Sequence, residues 1–132
     1  AGTKGTGAAV KSAEMSTVVK VANKVDDGVL FSADLSKTQA KSRSGHSYAG
    51  NKQLNEAMSN DPALKKKIES ISPGATERTS TSNGGRRNPK MLEWDHNNSN
   101  KYQLDLRTKS NHSQKTKTDG QSGGGYKRYW LD

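Results

Sequence analysis

Apolar positions along this chain are sparse, and only some of them keep a regular spacing. Between residues 44 and 59, Tyr48, Leu54, Ala57 and Met58 can share one helical face, with Lys52 and Glu56 paired four apart. Asn60-Asp61-Pro62 then ends one helix and opens another, with Asp61 suited to the cap and Pro62 to the first helical position. Leu64, Ile68 and Ile71 continue the apolar stripe until Pro73-Gly74 stops it, and Lys65, Lys66 and Lys67 form its solvated side. The clearest strands are 91–95 and 102–107, either side of Asn97-Asn98-Ser99-Asn100, whose residues tolerate left-handed turns. Leu104 and Leu106 fall on one face of the second strand, and Gln103, Asp105 and Arg107 on the other.

The other segments carry weaker patterns. Val29-Leu30-Phe31 reads as a short strand or a buried turn, and 1–7 as a flexible linker. In 8–24 the apolar residues recur irregularly, so either a helix or a strand is possible, with a helix the first choice. Residues 75–89 read as a polar loop carrying Arg78, Arg86 and Arg87. Ser110 can cap a short helix reaching about residue 117. A glycine loop over 119–125 leads to Tyr126-Lys127-Arg128-Tyr129-Trp130. The expected class is α+β: a small helical N-terminal part followed by a strand–turn–strand–helix finger at about 91–117. Residues 1–42 are expected to be a linker or N-terminal extension, and 43–132 the domain.

Composition limits what such a fold can rest on. Leu, Ile, Val and Phe supply 17 of the 132 residues, below the roughly 20% at which a highly charged chain is usually disordered. A bound metal or partner would add stability that so thin a core lacks, and Trp94 and Trp130 are therefore assigned to the core rather than to base stacking. There is no cysteine, which excludes disulfides and thiolate metal sites. No apolar run approaches membrane-spanning length. The chain begins without methionine, as expected of a fragment or processed domain. A formal charge of +9 favours a polyanion, since lysines and arginines release counterions along a phosphate backbone.

The candidate chemistry lies in the finger. Asp95-His96 ends its first strand, and His112 follows sixteen positions later in the first turn of its helix. An imidazole suits a general base near neutral pH. Asp95 and His112 can hold a cation through one oxygen and one nitrogen, with water and phosphate completing the shell. On a regular strand Asp95 and His96 point to opposite faces, so both meet one site only if the strand twists or bulges. Glu93 reads as a strand-face charge before a spare ligand. His46 has no spacing tie to the finger and is read as a helix residue packing under it or bonding a backbone carbonyl.

Several stretches together resemble the HNH, or His-Me finger, endonucleases, and most closely the WHH-, LHH- and DHNN-type toxin modules at the C-termini of bacterial polymorphic toxins. They are Trp94-Asp95-His96-Asn97-Asn98, Gln103-Leu104-Asp105-Leu106, His112-Ser113-Gln114-Lys115 and Gly123-Gly124-Gly125 with Tyr126 to Trp130. Upstream, Arg43-x-x-His46, Ala49-x-Asn51-x-x-Leu54 and Asp61-Pro62 look like the helical stretch that precedes the finger in that family. The likeness covers roughly 43–130. It implies Asp95 and His112 as metal ligands, His96 as the general base and Gln103 holding the finger loop where relatives use Asn. Lys115 completes an H-x-x-K. Mg²⁺ or Mn²⁺ is the expected metal, with Zn²⁺ or Ni²⁺ also admitted.

The expected function is nonspecific DNA cleavage leaving a 5′-phosphate, performed by the toxin module of a secreted antibacterial effector in the target-cell cytoplasm. Arg128 or Arg107 would steady the developing charge. Arg86, Arg87, Arg107, Lys115, Lys127 and Arg128 are the expected nucleic-acid contacts. The expected partner is an acidic immunity protein, and the module itself is expected to be monomeric. The alternatives are an RNase toxin on the same frame and a non-catalytic nucleic-acid-binding domain.

Overall fold

A computed structural model describes residues 28–83, 85–119 and 124–131, and the helix expected over 8–24 lies outside them. The fold is α+β. Strand β1 (Phe31–Asp34) precedes helices α1 (Arg43–Asn60), α2 (Pro62–Ile71) and the short α3 (Ala75–Arg78). Then come β2 (Leu92–His96), β3 (Gln103–Thr108), α4 (Lys109–Asp119) and α5 (Gly124–Tyr129), with 3-10 turns at Leu35–Lys37 and Thr81–Asn83. The three strands form one antiparallel sheet in the order β1-β3-β2.

Each helix start has a local cause. Ser42 Oγ accepts from the Gly45 amide and opens α1. Asp61 accepts from the amides of Ala63 and Leu64, with Pro62 behind it, as the sequence predicts. The stretch expected to be a plain loop after Pro73 is more ordered. Gly74, at φ +90°, turns the chain, and the Glu69 carboxylate accepts from the amides of Gly74 and Thr76, which starts α3. Thr108 rather than Ser110 serves the start of α4, its Oγ1 accepting from the Asn111 amide, because β3 runs into the helix without a break.

The pleat separates two environments. Leu92, Trp94, Leu104 and Leu106 face α1 and α2 and join Ala33, Leu35, Leu54, Met58 and Ile68 in one core. Burying each such aliphatic side chain is worth about 1.5–3 kcal/mol. Trp94 also donates its indole N–H to Asn51 Oδ1 on α1, at 2.9 Å, which answers the polar cost of burying it. Gly50 makes room for this packing, since a Cβ there would meet Trp94 and Leu104. The opposite face carries Ser32, Glu93, Asp95, Gln103, Asp105 and Arg107, and α4 covers it.

The domain boundary expected at residue 43 is corrected. β1 pairs with β3 from Phe31↔Leu106 to Asp34↔Gln103, and Leu30 N donates to Leu106 O. Residues just before α1 thus form the sheet's outer strand, because β3 would otherwise leave an unpaired edge. At the other end of the chain the expected glycine loop gives up Gly124 and Gly125 to α5. A Cβ on Gly125 would strike the carbonyls of His96 and Asn97, so glycine lets α5 lie directly on the end of β2. Among the described residues no helix is long and apolar enough to cross a membrane.

Candidate active site

β2 is regular through its last residue. The register runs unbroken from Leu92↔Thr108 to His96↔Leu104, so no bulge turns Asp95 and His96 to one side. The two neighbours flank the end of the strand instead, Asp95 toward α4 and His96 toward α1.

On the α4 side, Asp95 meets three cationic side chains. Arg107 Nε donates to its Oδ2 at 2.9 Å, and Lys115 Nζ stands 3.4 Å from the same oxygen. The other oxygen, Oδ1, faces His112 Nε2 at 3.5 Å. His112 donates its second ring N–H, at Nδ1, to Glu93 Oε1 at 2.8 Å. Burial pushes Asp95 upward, but the His112 contact and the charges of Lys115, His112 and Arg107 outweigh it and hold the carboxyl below its ordinary value. His112 is raised above the ordinary imidazole value by Asp95 first, and by Glu93, against opposing burial.

Below this pair lies a second carboxylate. Asp105, cross-strand from Asp95 and fully buried, accepts from Ser32 Oγ, Gln103 Nε2 and Asn97 Nδ2, with Arg107 Nη2 at 4.0 Å. Burial raises its pKa against those partners. Arg107 stands between the two acids and also donates to Asn111 Oδ1 on α4. It is 1% exposed.

On the α1 side, His96 Nε2 lies 2.8 Å from Nδ1 of His46, whose own Nε2 lies 2.8 Å from the Ala40 carbonyl. The Tyr126 ring packs edge-on against His96 with centroids 4.9 Å apart, and Trp130 against His46 at 4.3 Å. Arg43 lies over Tyr126. Burial, and then the proximity of His46 and Arg43, lower the His96 pKa to about 4, while Asp95 opposes. His46 is also lowered, chiefly by burial. Both imidazoles are therefore neutral at pH 7.

The expected residues are distributed as follows. Asp95, His112 and Lys115 come together. Gln103 holds the loop by accepting from Asn100, at 3.4 Å, and donating to Asp105, while the side chain that meets His96 is His46. Arg107, expected at the nucleic acid, is corrected: its burial between Asp95, Asp105 and Asn111 makes it an internal counter-charge. Arg86 donates to the Thr79 carbonyl and lies over Tyr48. Arg87, Lys127 and Arg128 are exposed. Trp94 is in the core, with Trp130 packed partly buried against it, as expected.

The donor set of Asp95 and His112 fits a divalent cation. With Nδ1–H given to Glu93, His112 would bind an ion by giving up its Nε2 hydrogen, and 3.5 Å from that nitrogen to Asp95 Oδ1 suits two donors sharing one ion at ligand lengths of about 2.0–2.2 Å. Glu93 then has the position of the carboxylate that orients a metal-binding histidine. No group of three or more His, Asp or Glu side chains suited to a metal occurs among the described residues, so this site offers two protein donors.

The sequence reading assigned no role at the site to Asp105, Asn111 or Tyr126. Asp105 and Tyr126 stood within stretches that resemble the family but without a role of their own, and Asn111 carried no signal. Comparison with protein-family models, curated proteins and solved structures finds no match to this chain.

Proposed function

We propose that this protein is a metal-dependent endonuclease acting on DNA, with Asp95 and His112 as metal ligands and His96 as general base. One observation carries the reading: Asp95 Oδ1 and His112 Nε2 face each other at 3.5 Å at the end of β2, where a phosphate would meet this pair from the α4 side and the neutral imidazole of His96 from the α1 side of the strand. The likeness of Asp95-His96, Gln103 and His112-x-x-Lys115 to the His-Me finger toxins supports it, as does the charge of +9.

A divalent cation on Asp95 and His112 would polarise the phosphate and neutralise charge on the leaving oxygen. His96 takes one proton from water as the water oxygen bonds to phosphorus. The P–O3′ bond breaks, the 3′-oxygen takes a proton from solvent, and the products carry a 5′-phosphate and a 3′-hydroxyl. Exposed Lys127 and Arg128 on α5 and Arg87 contact the backbone phosphates. In its biological setting the domain is the toxin module of a secreted bacterial effector, acting in the target-cell cytoplasm and held inactive by an acidic immunity protein.

The test is cleavage of supercoiled plasmid in Mg²⁺ or Mn²⁺, with EDTA and His96→Ala as controls. Metal-dependent nicking, lost in His96→Ala with the fold retained, is expected. Full activity in that variant would sink the assignment. Cleavage of total RNA but not plasmid would make it an RNase, and binding of plasmid without cleavage would make it a non-catalytic binding domain.

A further inference from the structure

We propose that His46 is a positioning residue for His96: it holds the ring with hydrogen on Nε2, leaving the Nδ1 lone pair as the proton acceptor. Only the use made of Nδ1 rests on the nuclease reading. The tautomer follows from the hydrogen-bond chain alone.

The chain starts at a group that can only accept. The Ala40 carbonyl lies 2.8 Å from His46 Nε2, so that nitrogen carries a hydrogen. His46 is fully buried, and among the described residues its partners are this carbonyl, His96 and the rings of Tyr126 and Trp130, none of them a carboxylate. A buried imidazole without a counter-charge is neutral, and its pKa is lowered accordingly. A neutral ring with hydrogen on Nε2 has a lone pair on Nδ1, which accepts. The atom 2.8 Å away, His96 Nε2, must therefore donate, and a neutral His96 with hydrogen there leaves Nδ1 bare. The other tautomer of His96 would set two lone pairs against each other at that distance.

The local build keeps this chain rigid. Ala40 N donates to Thr38 Oγ1. Gly45 lets Ala40 approach, since a Cβ at 45 would lie 2.6 Å from the Ala40 Cβ. Ser42 caps α1 one turn before His46 and accepts from Gly45 N. Tyr126 donates to the Lys41 carbonyl and closes over both imidazoles. A helix residue fifty positions upstream thus orients a group at the end of β2.

Two substitutions separate this role from simple packing. His46→Gln keeps an amide N–H for the Ala40 carbonyl but loses the acceptor at the Nδ1 position. His46→Asn puts an amide oxygen near that position and gives up the Ala40 bond. Plasmid cleavage in Mg²⁺ should fall by roughly 100-fold in kcat in His46→Gln, the lower end of general-base effects, with KM within about twofold. His46→Asn should recover to within about tenfold of wild type. A structural role through Ala40 predicts the reverse order, and wild-type cleavage by His46→Gln would overturn the proposal.

Nitrogen-15 NMR of the wild-type protein gives a readout independent of cleavage. Hydrogen on Nε2 of His96, with coupling across the bond to His46 Nδ1, is expected, and hydrogen on Nδ1 of His96 would overturn the proposal. A wild-type protein that cleaves nothing but shows that coupling would remove the nuclease reading and leave the tautomer assignment standing.

Discussion

His112 donates from Nδ1 to Glu93 Oε1 at 2.8 Å, and this bond turns its other nitrogen toward Asp95. Glu93 and Asp95 stand on the same face of β2, two residues apart, so one strand supplies both the proposed metal ligand and the carboxylate that holds its partner His112. Replacing Glu93 by Gln weakens that orientation and the basicity it lends. Mn²⁺ affinity, measured by titration calorimetry, should fall by roughly 10- to 100-fold in Glu93→Gln. Unchanged affinity would remove Glu93 from the site.

Arg107 is an internal counter-charge, and its removal should be felt in stability before activity. Arg107→Ala leaves Asp95 and Asp105 buried without their shared cation, a loss of about 3–5 kcal/mol for a broken buried pair. Urea unfolding of the metal-free protein checks this. A variant as stable as wild type that binds DNA more weakly would return Arg107 to the nucleic-acid surface.

The histidines act in opposite directions with pH. His46 and His96 are depressed in the fold, His96 to about 4, whereas the unfolded chain titrates near ~6.5. The stability that comes from keeping them neutral is complete above about 6.5 and is lost as pH falls through the folded values. His112 is raised by Asp95 and Glu93, so its contribution is complete below about 6.5 and fades as pH rises through its folded value. In EDTA, the Tm deficit of His112→Ala should therefore be larger at about pH 6 than at about pH 9. Equal deficits at both would contradict the ion pair.

Gly125 tests how tightly α5 is held against the finger. A Cβ at that position would strike the His96 and Asn97 carbonyls, which are backbone and cannot swing away. Gly125→Ala should cost roughly 1–3 kcal/mol, the usual range for overpacking, and disturb the backbone signals of His96 and Asn97 in NMR spectra. A neutral effect would mean that α5 sits further from β2.

Several elements could be read from local pattern. Asp61-Pro62 specifies a helix start through its own two side chains. The alternation of Leu104 and Leu106 with Gln103, Asp105 and Arg107 specifies which strand face is wet. The spacing of Asp95, His96 and His112 places all three on one hairpin and the helix after it. Other features had no local signal. α3 depends on Glu69 reaching forward to the amides of Gly74 and Thr76. β1, which shares only Phe31 with the short strand or turn expected at 29–31, gains its place from pairing with β3, about seventy residues later.

For this chain, local pattern was enough for an α+β class and the strand–turn–strand–helix order, because these follow from neighbours on one backbone. The packed fold was needed to show that β2 stays regular and parts Asp95 from His96, that His46 meets His96, that Glu93 holds His112 and that Arg107 is internal. Those relations depend on which helix covers which face of the sheet, and a face is a property of the packed layers rather than of spacing along the chain.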